Sequence, residues 1–258
     1  ADAVQAVLAL ALSRYTDICN SLCMWETSKT QVRHAFTRQA IPMLWDFAEA
    51  SALADAAGNY DVTLSTMVRV LESTQIGSAT GHVQQSDAAH HPLPDDSVAA
   101  FCSDPPYYDA VPYSDLSDWF YVWLKRSLPR SLSHMFGEVL APKEAECIVD
   151  EIKGKDRAYF EATMKKAMGE GRRVLAPSGI GIVVFAHKST SGWEAQLQAM
   201  IDAGWIITGS WPIDTELGNR LRAMDSAALA SSVHLVCRPR EDTNGNVRED
   251  EVGDWRED

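Results

Sequence analysis

Apolar positions open the chain at helical spacing. Val4, Val7, Leu8, Ala11 and Leu12 fall on one face, and Ile18 and Leu22 prolong it, which predicts a helix. Glu26-Thr27-Ser28 offers a break and a cap, and Thr30 to Phe47 reads as a second helical region interrupted at Pro42. Trp25, Trp45 and Phe47 read there as core or interface aromatics. Residues 51–61 are small and polar, with turn chemistry at Gly58-Asn59. Leu64, Met67, Val68 and Leu71 then share one stripe of an amphipathic helix over Val62 to Thr74. From His82 the texture changes to short apolar runs between helical patterns. His82 to Ala88 reads as a short strand with an acid, Asp87, at its end. Val98 to Cys102 reads as a buried strand, and Tyr113 to Leu128 as an aromatic-rich helix. Pro129 to Lys155 reads as a mobile insertion. Asp156 to Val174 is a helix, Ala176-Pro177-Ser178-Gly179 a break, and Ile180 to Phe185 an unbroken buried strand. A helix over Trp193 to Ala203 ends at Gly204, and strands follow at Trp205 to Trp211 and Val233 to Cys237. The pattern divides the chain into a helical region (1–80), an α/β portion (81–240) and an acidic tail (241–258) that reads as solvated and disordered.

One stretch carries chemistry. Ser103-Asp104-Pro105-Pro106-Tyr107-Tyr108 follows the Val98 to Cys102 run. Two consecutive prolines cannot donate to a strand ladder, so the strand must end at Asp104. In open α/β sheets, ligands sit outside the carboxyl ends of the strands. A carboxylate and a proline carbonyl there can both accept from one NH2 group, and Tyr107 can stack on the ring that carries it. Asp109, Tyr113, Ser114 and Asp115 follow closely enough to touch a substrate.

Asp-Pro-Pro-Tyr after an apolar strand resembles the catalytic motif of amino-group methyltransferases. The longer run DPPYYDAVPYSDLSDWFYVWLKRSL, with RRVLAPSGIGIVVFAHK, is similar to the later part of the large bacterial and archaeal adenine-specific DNA methylases that contain a zinc ribbon. The resemblance implies a Rossmann-like class I methyltransferase sheet and S-adenosylmethionine as cofactor. It implies Asp104, Pro105, Pro106 and Tyr107 as the catalytic turn, and Asp87, Ser103 and Asp104 at the cofactor, with Asp87 accepting from its adenine. Tyr108, Tyr113, Trp211, Asn219 and Arg220 would bind substrate, Tyr108 or Trp211 as a second stacking face. In that family the last two strands form a hairpin whose connection, here Pro212 to Ser232, faces the target. Aspartate at the head of the motif leans toward adenine N6 over cytosine N4. The expected partner is a nucleic acid, DNA ahead of RNA, with the base flipped out of the duplex.

The glycine-rich turn that approaches the methionine part of the cofactor is not found. Gly77 to Gly81 follows a helical pattern, and Gly179-Ile180-Gly181 opens a strand rather than leaving one. The resembled family carries that motif upstream of the residues matched here. The expectation is therefore an incomplete sheet, first strands absent, working with an upstream segment or subunit. The other possibility is that the helices of residues 1–75 cover the exposed side. Two rival functions stay open: an RNA or small-substrate amino-methyltransferase, and a non-catalytic portion of a divided enzyme that only binds a partner.

Composition narrows this picture modestly. The 258 residues carry 23 Lys and Arg against 36 Asp and Glu, a net charge of −13. That argues against a free-standing nucleic-acid binder, because phosphate affinity comes mainly from Lys and Arg. No apolar run approaches the ~20 residues of a membrane helix, so a cytoplasmic protein is expected. Cys19, Cys23, Cys102, Cys147 and Cys237 form no CxxC pair and read as free buried thiols, so no zinc ribbon is expected in this chain. The seven histidines are scattered, and no metal site is expected.

Overall fold

The computed structural model describes residues 1–37, 40–56, 58–74, 81–109, 111–187, 189–213, 232–241, 244 and 246. The chain divides into two units, Ala1–Gln84 with Pro112–Glu146, and Gln85–Val111 with Cys147–Asp258. Pro112–Glu146, which the hydrophobic pattern puts in the α/β portion, thus clusters with the N-terminal helices.

The first unit holds α1 (Asp2–Tyr15), α2 (Tyr60–Ser73) and α3 (Tyr113–Ser127). Asn59 caps α2 by accepting from the Val62 amide at 2.8 Å. Trp119 of α3 donates to Thr16 Oγ1 at 3.1 Å, and Phe36 lies against Trp119 and Phe120. The helix expected over Thr30 to Phe47 does not form among the described residues. Instead β1 (Trp25–Glu26) and β2 (Gln31–Val32) make a short antiparallel hairpin. Asp17 captures the chain beyond it: its carbonyl accepts from the Ala35 amide at 2.7 Å and its carboxylate from the Phe36 amide at 3.1 Å. A tertiary contact has overridden a weak helical pattern. Trp25, Trp45 and Phe47 are exposed rather than core, Trp45 at 99%.

The segment after α3 is tied down, contrary to the mobile insertion expected there. Asp118 accepts from the Ala141 amide at 2.9 Å and from Lys143 Nζ at 2.8 Å. Glu146 accepts from the Ser114 amide at 2.8 Å and its hydroxyl at 2.5 Å.

The second unit is α/β. Its strands are β3 (Val98–Ser103), β4 (Leu175–Phe185), β5 (Trp205–Ile213) and β6 (Ser232–Pro239). They form one sheet in the order β3-β4-β6-β5. β3 and β4 are parallel, and β6 is antiparallel to both its neighbours. β3, β4 and β5 therefore point the same way, with their carboxyl ends on one edge. The break expected at Ala176-Pro177-Ser178-Gly179 is carried as a bulge within β4: Val98 pairs with Leu175, yet Ala100 already pairs with Ile180. No strand forms over residues 82–88.

Two helices cover this sheet, α4 (Arg157–Val174) and α5 (Thr190–Asp202). Asp156 caps α4 by accepting from the Tyr159 amide at 2.8 Å. Phe160, Met164 and Met168 of α4 and Ala199 and Met200 of α5 pack with Val183, Phe185, Trp205 and Leu235 of the strands. Gln196 of α5 is buried in the same unit at 0% exposure, and neither amide atom finds a hydrogen-bond partner among the described residues. Such a group costs about 1–3 kcal/mol. Gln196→Met is expected to stabilise the protein by that order, seen as a higher urea midpoint at unchanged slope. A lower midpoint would contradict the assignment.

Arg173, in the last turn of α4, clamps the loop that leads into β3. It donates to Asp95 at 2.6 Å, to the Leu93 carbonyl at 3.0 Å, to the His91 carbonyl at 2.8 Å and to Glu170 at 2.8 and 2.9 Å. The guanidinium holds the Glu170 carboxyl at about 2, below its ordinary 4.5. A lowered carboxyl stabilises the fold above the unfolded value and loses that contribution as pH falls through the folded one. The stability difference between wild type and Glu170→Gln is expected to be full at neutral pH and to vanish between about 4.5 and 2. Acid titrations of the two unfolding midpoints check this.

Candidate active site

The site grows from the end of β3. Pro105 and Pro106 stop the ladder after Ser103, which pairs with Val183 of β4. Asp104 is left exposed at the carboxyl edge. The turn then closes tightly: the Tyr108 amide donates to the Pro106 carbonyl at 3.2 Å. The Pro105 carbonyl keeps no hydrogen-bond partner among the described residues. Tyr107 is half-buried, its ring edge-on to Phe185 with centroids 5.6 Å apart. Its hydroxyl donates to Asp104 Oδ1 at 2.6 Å. One turn thus joins a fixed carboxylate, a held aromatic ring and an available carbonyl.

The remaining expected residues fall differently. The Ser103 hydroxyl is buried and has no hydrogen-bond partner among the described residues, so this polar group at the strand end fits a ligand contact. Asp87 is drawn into its own turn. It accepts from the Ala89 amide at 2.9 Å and lies 3.1 Å from His90 Nδ1, and the Ala89 amide, with His90, lowers its carboxyl. Tyr108 is a core residue at 9% exposure, its ring against Phe160 and His187. It is therefore committed to packing rather than offered as a stacking face. Trp211 is 65% exposed on β5 and pairs with His234. It lies near the same end of the sheet, but β5 and β3 are opposite edge strands. Three strand spacings, about 14 Å, separate them, so Tyr107 and Trp211 are not built as one clamp. Tyr113 opens α3 in the other unit. Asn219 and Arg220 lie outside the described residues.

The sequence reading missed His187. It follows the carboxyl end of β4, is buried at 5% exposure, and brings Nε2 to 2.8 Å from Asp109 Oδ1. Its Nδ1 is 2.9 Å from the Ser189 hydroxyl and accepts from the Ser189 amide at 3.1 Å. Ser189 in turn caps α5. The available signal was its position, a histidine just past an unbroken apolar strand and hence on the ligand-bearing edge.

Among the described residues, no three His, Cys, Asp or Glu side chains are grouped to hold a metal ion. No helix among them is long and apolar enough to cross a membrane. All five cysteines are free, and Cys102 on β3 is exposed rather than buried. No protein-family model matches this sequence, and no curated protein matches it.

Proposed function

We propose that the second unit is the substrate side of an S-adenosylmethionine-dependent methyltransferase acting on an exocyclic amino group of a nucleobase, adenine N6 in DNA. One observation carries the reading. Asp104 and Tyr107 share a hydrogen bond at the carboxyl end of a parallel strand, beside a Pro105 carbonyl with no partner among the described residues. An aromatic amino group is a poor nucleophile because its lone pair is delocalised into the ring. Asp104 Oδ2 and the Pro105 carbonyl would each accept one of its N–H bonds. That favours a pyramidal nitrogen and stabilises the positive charge that develops on it. Tyr107 donates to Oδ1, which fixes the carboxylate plane before substrate arrives, so little reorganisation is left to the reaction. The Tyr107 ring would stack the flipped base, a contribution of roughly 1–3 kcal/mol against an extrusion cost of a few kcal/mol.

S-adenosylmethionine would supply the methyl group when bound, and Ser103 and Asp104 are the residues of this chain that would hold it. The orphaned Ser103 hydroxyl supports that role. Asp87 accepts from the Ala89 amide within its own turn, and its exposed carboxylate would accept from the adenine amino group with its remaining lone pairs.

A divided enzyme is also favoured by a specific observation. β3 is an edge strand, yet its sequence VAAFCS carries no charge or proline to blunt the edge, and Ala99, Ala100 and Cys102 are exposed. Parallel strands are ordinarily buried on both faces. A partner segment that adds a strand beside β3 would complete the sheet. The deciding assay is transfer of labelled methyl groups to adenine N6, offered duplex DNA, single-stranded DNA and structured RNA in parallel. Label on RNA alone would move the substrate class. No label on any of them would leave the partner-binding role.

A further inference from the structure

Tyr108, the residue after the candidate catalytic turn, has φ of +54°. That left-handed backbone is uncommon for a bulky residue and costs of order 1–3 kcal/mol, so the surroundings must impose it. Three contacts do. The Tyr108 carbonyl accepts from the Val149 amide at 3.0 Å. Its ring is buried edge-on against Phe160 and His187, with centroids 5.1 and 5.4 Å away. The next residue, Asp109, is held by His187 at 2.8 Å.

His187 is itself built in. The Ser189 amide donates to Nδ1 at 3.1 Å, so Nδ1 offers its lone pair and the ring proton sits on Nε2, facing Asp109. Trp193 Nε1 donates to the His187 carbonyl at 2.9 Å. Gly192 makes room for the ring: a Cβ at that position would come within 2.2 Å of Nδ1.

We infer that His187 is a positioning residue for the Asp104–Tyr107 turn. It anchors Asp109 and packs on Tyr108, and so keeps Tyr108 left-handed and the Asp104 carboxylate and Tyr107 ring aimed at substrate. This rests on the reading that the turn is catalytic.

The test uses the intact protein and two separate readouts. His187→Phe keeps a ring but removes the donor. His187→Gln offers an amide N–H near the Nε2 position. Asp109→Ala removes the acceptor from a half-exposed side chain and serves if His187→Phe does not fold. NMR chemical shifts and the HN–Hα coupling of Tyr108 report its φ. Methyl transfer to nucleic acid reports kcat and KM. The expected result is that His187→Phe and Asp109→Ala release Tyr108 from the left-handed region and lower kcat by about 10²-fold at similar KM. The double variant should be no worse than either single one, and His187→Gln should restore most of the loss. A Tyr108 φ unmoved in the folded variants overturns the inference, and so does a loss confined to KM. If wild-type protein transfers no methyl group, the catalytic reading fails by itself, and the NMR readout still decides whether His187 holds the turn.

Discussion

Asp104→Ala is expected to lower kcat for methyl transfer by at least about 10²–10³-fold, the cost of removing one preorganised group from a developing charge. Its fold should survive. Asp104 is exposed, and its hydrogen bond in the structure is from the Tyr107 hydroxyl at 2.6 Å. Surface changes of this kind usually stay within about 0.5 kcal/mol. The two halves of the expectation are measured separately, by initial rates on adenine-containing DNA and by the urea midpoint. Retained turnover would remove Asp104 from the chemistry. A collapsed midpoint would make the carboxylate a structural cap. Tyr107→Phe separates the two contributions of the tyrosine, because it keeps the ring for stacking and frees Asp104 Oδ1. A smaller loss there than in Asp104→Ala identifies the phenol as an orienting group.

Gly181→Ala is expected to destabilise the second unit by about 2–3 kcal/mol, within the range for overpacking a core. In an ordinary strand the same change gains roughly 0.5–1 kcal/mol, because glycine loses more conformational freedom on folding. The sign reverses here because Gly181 of β4 faces Trp205. A Cβ would lie 2.4 Å from Trp205 Cζ3 and 2.9 Å from Cη2. The indole cannot step aside, since Trp205 is 1% exposed and its Nε1 donates to the Met168 carbonyl at 2.9 Å. A denaturant midpoint measured on Gly181→Ala checks the sign. A pairing of Gly181→Ala with Trp205→Phe checks the cause, since a narrower ring should recover part of the loss.

Much of the second unit was legible along the chain. Pro105-Pro106 must end β3, whatever surrounds it, because neither residue has an N–H to give. Asp156 marks the start of α4 and Gly204, with φ of +85°, the end of α5. Both are capping effects that depend on a few neighbouring atoms. The first unit was less legible. The Thr30 to Phe47 pattern has helical spacing, but Asp17 binds the Ala35 and Phe36 amides from far along the chain. The segment after α3 looked mobile because its anchors, Asp118 and Ser114, belong to the preceding helix. Within the candidate site, Asp104 and Tyr107 are three residues apart and were found together. Asp109 and His187 are 78 apart and were not.

The order of residues along the chain sets the local events: where helix α4 begins and ends, where α5 ends, where β3 stops, and that an acid, two prolines and a tyrosine stand at that stop. Each follows from backbone chemistry over a turn or two. Long-range packing is what puts β6 between β4 and β5, leaves β3 on an edge, and turns Tyr108 inward while Asp109 meets His187. Those outcomes depend on which distant apolar faces and hydrogen-bonding groups find one another. Burial energy is non-directional and local pattern does not encode the partner.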